Sequence, residues 1–558
     1  MGFKIVETLT PGDPSEKATE YMVPTRDGVE LATDVYLPEN PTKHSVVFSR
    51  TPYDKQSFYT ALQYEAEYFN NRGFVFIAQD VRGKFRSTGQ TVPYAYDVND
   101  AYDSVEWIVQ QPWSNGNVGV VGGSYSGFLT WAAVASRHPA IKAAIPMVTG
   151  VDMPDGHIGG RWRQRIQSFA ALNDLLQIWS NNNGYLAEID WDDKPVEAIL
   201  EEAREQIGPS IGAREKVDRT KNEEWTNPYG DQHPYWTTQI PILHWVNWYD
   251  PGLAPDGMAD WRHFRSIPAW QGLHYLRADS SDHGGYKLED VGRGDEANAY
   301  LNKDALMKQI NEAAGEQADF FDEHLNGVKP SSPRPRARWH VGHVGWQETD
   351  EYPPAGETKV FTLSPSDEGV HALVEGDTSE ERDLSWVHDP HNPVPSAVDM
   401  EALWYFCAAY PDERSFADRE DVLTFRTKPL DKDLDFAGQP VFTGDISFSG
   451  PSTHVHIKLQ DVYPDGTVRR ISQGRSALTD QTGERLRLPL DDNAYRVRAG
   501  HCLQLQIASS DCPHFVVHPG TDDRTYDDDQ HKVATTQGLH LGGANGAKLE
   551  LLTINVAE

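Results

Sequence analysis

Asn117-Val118-Gly119-Val120-Val121-Gly122-Gly123-Ser124-Tyr125-Ser126-Gly127-Phe128 is the stretch that decides the fold. Val118, Val120 and Val121 are β-branched and apolar, as a buried central strand requires. Two glycines then precede a single serine, small residues follow it, and the run Phe128-Leu129-Thr130-Trp131-Ala132-Ala133-Val134-Ala135 reads as helix. Strand, sharp turn and helix in that order make a nucleophile elbow, which lifts a serine Oγ above the sheet at a helix N-terminus. The strict form has Gly two positions after the serine; here Ser126 stands there and Gly127 comes next. On this stretch alone a glycine-rich turn in some other α/β protein remains an alternative.

Working outward, the pattern is an alternation of strands and helices. Residues 19–37 read as a hairpin around Thr25-Arg26-Asp27-Gly28. Strands follow at 45–49 and 74–80, a helix at about 60–71 between them, and another helix at 97–111. The elbow strand and Ile141–Val148 come next, and 240–250 and 273–278 resume the series after a break. This spacing predicts a mostly parallel sheet with helices on both faces. Residues 151–235 interrupt it with helix formers, Trp, Asn and acids, and are expected to form a helical cap. A helix at about 304–325 closes the first domain, and the join to the next is expected near 347–356. Residues 348–558 are short β-rich runs separated by Asp-Gly and Pro-Gly type turns, the spacing of an all-β sandwich.

Bulk properties narrow the function. The 558 residues exceed one core and predict two or three domains. The net charge of -34, from 50 basic and 84 acidic residues, argues against nucleic acid and anionic membranes as partners. It fits a well-solvated surface, or adaptation to high salt. Three cysteines, Cys407, Cys502 and Cys512, make no disulfide framework. The first residues carry no apolar core of signal-peptide length, and no window approaches a membrane span, so a cytoplasmic protein is expected.

A serine nucleophile needs a base, a group that orients the base, and donors for the oxyanion. In this fold the chain order is serine, acid, histidine. Asp250 follows the apolar strand Ile242–Val246 and is the expected acid; His283, in Asp279-Ser280-Ser281-Asp282-His283, is the expected base. Among 21 histidines, His244 and His274 fall within strands and His233 precedes Pro234, so packing explains them better. Asp282 is a competing acid, but a residue adjacent to the histidine reaches back to Nδ1 poorly. The Tyr125 backbone N–H is the expected first oxyanion donor, and the Tyr53 hydroxyl, in the loop Arg50–Lys55, the second. No cofactor and no metal are expected. His454 and His456 share a strand face, and Asp527-Asp528-Asp529 lie near Asp522 and Asp523. The first pair reads better as outward strand residues, and the second as a solvated loop without the Gly and terminal Glu of a calcium loop.

Together Thr51-Pro52-Tyr53-Asp54-Lys55, Asp80-Val81-Arg82-Gly83, Trp113 through Gly119, Gly122 through Gly127 and Trp248-Tyr249-Asp250 resemble the cocaine esterase / X-Pro dipeptidyl-peptidase (peptidase S15-like) hydrolases. Asp389 through Ser396, Asp461 through Gly466 and Gly500 through Ser510 resemble that family's jelly-roll domain. The resemblance implies an α/β-hydrolase domain in two parts, 1–150 and 236–347, a cap insertion at 151–235 and a jelly roll at 348–558. It implies Ser124 as nucleophile, Asp250 and His283 as acid and base, and Tyr53 and Tyr125 as oxyanion donors. The chain departs from the family at Pro251-Gly252 and around Ala278-Asp279-Ser280, where Asp279 and Asp282 add charge near the site. The layout is most like the cocaine-esterase type, so a small-molecule ester is the expected substrate. The alternatives are X-Pro dipeptidyl-peptidase, α-amino-acid ester hydrolase or acylase chemistry on an amide. Arg161, Trp162, Phe169 and Trp179 are candidate pocket walls in the cap. A homodimer is compatible with all of this. A non-enzymatic jelly-roll binding protein is the remote alternative.

Overall fold

The computed structural model describes residues 12–152, 228–292, 303–397, 410–479, 485–521 and 531–556, apart from positions 41, 58, 59, 93, 251, 286, 367, 368, 377, 379 and 513. The expected cap thus lies almost wholly outside the described residues, with Arg161, Trp162, Phe169, Trp179 and the acidic run at 527–529.

Ten strands build the first sheet: β1 (Ala18–Pro24), β2 (Glu30–Tyr36), β3 (His44–Thr51), β4 (Val75–Asp80), β5 (Ser114–Gly123), β6 (Ile141–Met147), β7 (Ile242–Asn247), β8 (His274–Asp279), β9 (Ala337–Val341) and β10 (Gly345–Thr349). Their order is β1-β2-β4-β3-β5-β6-β7-β8-β9-β10. The run from β4 to β9 is parallel, and β1, β2 and β10 add antiparallel edges. The helices are α1 (Leu62–Asn71), α2 (Asp97–Val109), α3 (Tyr125–Ala135), the short α4 (Pro234–Thr237), α5 (Ala254–Arg265) and α6 (Lys303–Leu325).

Alternation along each central strand feeds two cores, because successive side chains point to opposite faces. Val46, Phe48, Val118 and Val120 pack with α2 and α3 residues such as Ile108, Phe128 and Trp131. Val47, Phe76 and Val121 pack on the other face with Phe69 of α1 and Phe321 of α6. No helix among the described residues is long and apolar enough to cross a membrane.

The chain leaves the first sheet at Thr349 and begins the next at Glu357. Thirteen described strands make up this second, almost entirely antiparallel system. One central strand, Thr453–Val462, pairs with Val468–Leu478 on one side and Cys502–Ala508 on the other. Its Val455, Ile457 and Leu459 point into the sandwich core. That core does not stop at the join. The same cluster takes in Val246 and Trp248 at the end of β7, Met258 and Trp261 of α5, Trp339 of β9 and Tyr352. Backbone bonds reinforce it: Gly342 N–H donates to the Ala494 carbonyl at 2.9 Å, and Arg496 N–H to the Gly342 carbonyl at 3.1 Å. A Cβ at Gly342 would come within 2.6 Å of the Tyr495 ring, so glycine permits this approach.

Candidate active site

The elbow forms where the sequence places it. Ser124, between β5 and α3, has φ 59° and ψ −127°, a sparsely populated conformation for a residue with a side chain. Its carbonyl accepts from Gly127 N–H at 2.9 Å and Phe128 N–H at 3.0 Å, which starts α3. The N–H groups of Tyr125 and Ser126 precede the first possible intrahelical bond and point off the helix start. The small residues have distinct reasons. A Cβ at Gly122 would lie 2.4 Å from the Ser126 carbonyl oxygen and 2.8 Å from Ser126 Cβ. Gly122 therefore makes the room that lets Ser126 stand where the strict pattern has glycine. A Cβ at Gly127 would meet Thr149 Cγ2 at 2.6 Å. Gly123 is under no such constraint, since its nearest contact would be 3.5 Å.

Asp250 and His283 come together after β7 and β8. His283 Nδ1 donates to Asp250 Oδ2 at 2.9 Å, and both residues are buried. Three further rungs hold the two loops side by side. Trp248 N–H donates to the Asp279 carbonyl at 2.7 Å, Tyr249 N–H to the Ser281 carbonyl at 3.1 Å, and Asn247 Nδ2 to the Asp282 carbonyl at 2.7 Å. The base loop is also tied outward: Gln309 Nε2 of α6 donates to the Gly284 carbonyl at 2.9 Å, and Ser280 Oγ lies 2.9 Å from His340 Nδ1 of β9. The acid loop reaches the sandwich. Trp248 Nε1 donates to the His340 carbonyl at 3.0 Å, and the Tyr249 and Tyr410 hydroxyls lie 3.4 Å apart. Ser124, Asp250 and His283 thus all follow the carboxyl ends of parallel strands, on one edge of one sheet.

Tyr53 lies in the loop after β3, the strand beside β5, and is buried. Its N–H donates to Thr51 Oγ1 at 3.1 Å. Asp54, at φ 71°, turns the chain, and its Oδ2 accepts from Gly12 N–H at 2.6 Å. The loop is then nailed from below by Lys55, whose fully buried ammonium lies 2.7 Å from Glu20, 3.0 Å from Asp34 and 3.9 Å from Asp80. Lys55 N–H also donates to Asp80 Oδ1 at 2.8 Å, joining the Thr51–Lys55 and Asp80–Gly83 motifs. Burial pulls the Lys55 ammonium down, but Asp80 and Asp34 outweigh it and raise it; burial pushes the Asp80 carboxyl up to about 8.

The Tyr125 side chain points away from the elbow into the core. Its hydroxyl donates to Asp97 Oδ2 at 3.3 Å and accepts from Tyr94 N–H at 3.0 Å. Asp97, Arg50, Asn247 and Lys55 were not singled out as supports by the sequence. Their signal is weak, because each partner lies tens of residues away along the chain.

The competing residues are accounted for elsewhere. His244 Nε2 lies 2.8 Å from His274 Nδ1 in the core, and His233 lies 2.9 Å from Asp152 while its ring accepts from Tyr235 N–H. Asp279 is buried and paired with Arg277 at 2.9 Å, so its charge near the site is compensated.

His454 and His456 point away from the sandwich core, yet they are 4% and 5% exposed. His518 packs on His454 and Phe515 on His456. Among the described residues no three ligand-type side chains converge where a metal ion could sit.

A family model for the X-Pro dipeptidyl-peptidase (S15 family) matches residues 27–278, and one for the X-Pro dipeptidyl-peptidase C-terminal non-catalytic domain matches 326–550. The cocaine esterase of Rhodococcus sp. (strain MB1 Bresler) is 27% identical over 545 residues, covering 89% of this chain and 91% of its own. A solved α-amino-acid ester hydrolase superposes with a TM-score of 0.81 at 21% identity over 98% of both chains. A solved aminopeptidase from the marine sediment archaeon Thaumarchaeota archaeon gives 0.78 at 23% identity over 99% of both. At these identities the superpositions establish a shared fold.

Proposed function

Because the chain belongs to the X-Pro dipeptidyl-peptidase (S15) family of hydrolases, with that family's C-terminal domain attached, we propose that it is a serine hydrolase cleaving carboxylic esters through an acyl-enzyme on Ser124. The observation that carries this reading is the 2.9 Å bond from His283 Nδ1 to Asp250, on the sheet edge where Ser124 sits strained at its helix start.

His283 Nε2 takes the Ser124 Oγ proton as Oγ attacks the ester carbonyl carbon. Asp250 holds the ring in the Nδ1–H tautomer and stabilises the imidazolium that forms. The Tyr125 N–H and Tyr53 hydroxyl donate to the developing oxyanion, each such donor being worth roughly 3–4 kcal/mol in a dry site. Collapse breaks the ester C–O bond, and His283 gives its proton to the leaving alkoxide. Water then attacks the acyl carbon with His283 again as base, and the acid and free Ser124 are released. No cofactor enters.

The test pairs wild type with Ser124→Ala on p-nitrophenyl acetate, p-nitrophenyl butyrate and an aminoacyl-Pro p-nitroanilide, with a fluorophosphonate label located by mass spectrometry. Ester turnover in the variant is expected to fall by roughly 10⁴- to 10⁶-fold, with label on Ser124 in wild type. Faster turnover of the anilide than of the esters would shift the assignment to peptidase chemistry. No label, and equal rates in both proteins, would overturn the serine mechanism.

A further inference from the structure

The two oxyanion donors named above come from different parts of the chain. Tyr125 opens α3, and Tyr53 follows β3. Such donors work only if held within about half an ångström of the productive position. Their supports meet at one residue.

Tyr125 is 2% exposed, so its ring and hydroxyl are spent inside the protein. The ring packs against Tyr94 and Phe128, with centroids 5.2 and 5.4 Å away. The hydroxyl donates to Asp97 Oδ2 and accepts from Tyr94 N–H. On the other side Arg50, three residues before Tyr53, is 3% exposed. Its Nη1 donates to the Asp97 carbonyl at 2.9 Å, and its Nη2 lies 3.8 Å from Asp97 Oδ1. Nε donates to Gln79 Oε1 at 3.0 Å, which fixes the plane of the guanidinium. Asp97 is itself buried at the first turn of α2; burial pushes its carboxyl up to about 6, while Arg50 and the helix start favour the carboxylate. Asp100 stands one turn on, at 3.9 Å from Arg50, and is engaged by Arg82 at 2.6 Å.

We propose that Asp97 is a positioning residue for the oxyanion hole. One carboxylate oxygen holds the Tyr125 side chain, and with it the backbone N–H at the elbow; the carbonyl and the other oxygen hold Arg50, and with it the root of the Tyr53 loop. The inference rests on the serine-hydrolase reading. It goes beyond the dipole role, because an α2 carboxylate needs no hydroxyl at position 125, and a phenylalanine would fill the same apolar space.

Tyr125→Phe removes only the hydroxyl. Its kcat on p-nitrophenyl butyrate is expected to fall about 10-fold with KM within about twofold, the size of one hydrogen bond's net worth. Phenylboronic acid, whose serine adduct presents an oxyanion-like oxygen, is expected to bind about 10-fold more weakly. Asp97→Ala, which removes the acceptor of the Tyr125 hydroxyl, is expected to lose at least as much, and adding Tyr125→Phe to it should change kcat by less than about twofold, since that hydrogen bond is already gone. Wild-type kcat and boronate affinity in Tyr125→Phe would overturn the proposal, as would losses that multiply in the double variant. If Asp97→Ala does not fold, Tyr125→Phe alone decides. Absence of fluorophosphonate label on Ser124 in wild type is a separate result that removes the reading beneath the proposal.

Discussion

Two buried polar regions of this molecule are built on opposite terms. Around the loops after β3 and β4, the buried groups include ions: Lys55 against Asp34, and Arg50 between Asp97 and Asp100. On the outer face of the strand Thr453–Val462, the buried groups are mostly uncharged rings: His388, His454, His456, His514 and His518. Burial pulls all five below the ordinary histidine range, to about 3 for His456, His514 and His518. Lys458, 3.2 Å from Asp511, is the charged pair at the edge of that field. The difference shows what buried charge is for here. Ions are kept where a loop must be held in one geometry beside the reaction, at the cost of desolvation. On the covered face of Thr453–Val462 most of the buried polar side chains are neutral rings, with Lys458 and Asp511 as the exception.

The comparison predicts an acid weakness in the second region. A histidine held near 3 when folded and near 6.5 when unfolded leaves the unfolded chain binding more protons between those values, so stability rises with pH across that window and is lost as pH falls. At pH 5 each such ring costs about 2 kcal/mol, and His456, His514 and His518 together about 6. Between pH 7 and pH 5 wild type should lose about 4 kcal/mol more, read from urea midpoints, than the His456→Phe, His514→Leu variant; buried carboxyls such as Asp80 act in the opposite direction equally in both proteins. Parallel pH profiles in the two proteins would break the contrast. Lys55→Met tests the first region. Removing one partner of a buried ionic set is expected to cost about 3–5 kcal/mol, read as a lower urea midpoint at pH 7. A cost below about 1 kcal/mol would mean the ions are dispensable to the Tyr53 loop. The surface gives the smallest effect: with a net charge of -34, raising NaCl from 0.1 to 1 M should lift Tm by about 2 °C through screening of self-repulsion. No rise would locate the acidic excess too far apart to repel.

Local constraint was what made residues legible. The elbow could be read because a tight turn restricts Gly122, Ser126 and Gly127 within a few positions of Ser124. The pairing of Asp250 with His283 could be read because chain order in this topology leaves few places for such a pair. Asp97 and Arg50 were invisible, since nothing near either position shows that they meet under Tyr125. His454 and His456 looked like outward strand residues because a period of two tells which face a side chain takes, not what covers it. The cover includes His518 and Phe515, some sixty residues later. Asp279 looked like a source of negative field because its compensating Arg277 lies two residues back on the same strand face.

The apolar cluster that runs from Val246 and Trp248 through Tyr352 to Leu551 has a consequence for inheritance. Parts that share one core cannot be exchanged as beads on a string. A lineage that traded the second part for a related sandwich would have to inherit, in the same event, the surface that receives Trp248 and Tyr352 and the ring of Tyr495 that sits on Gly342. Recombination at the short connection between Thr349 and Glu357 would cut through few residues and yet split one apolar cluster in two. The two parts are therefore expected to drift together, each recording the other's substitutions, and a tree built from either half should have the same branches.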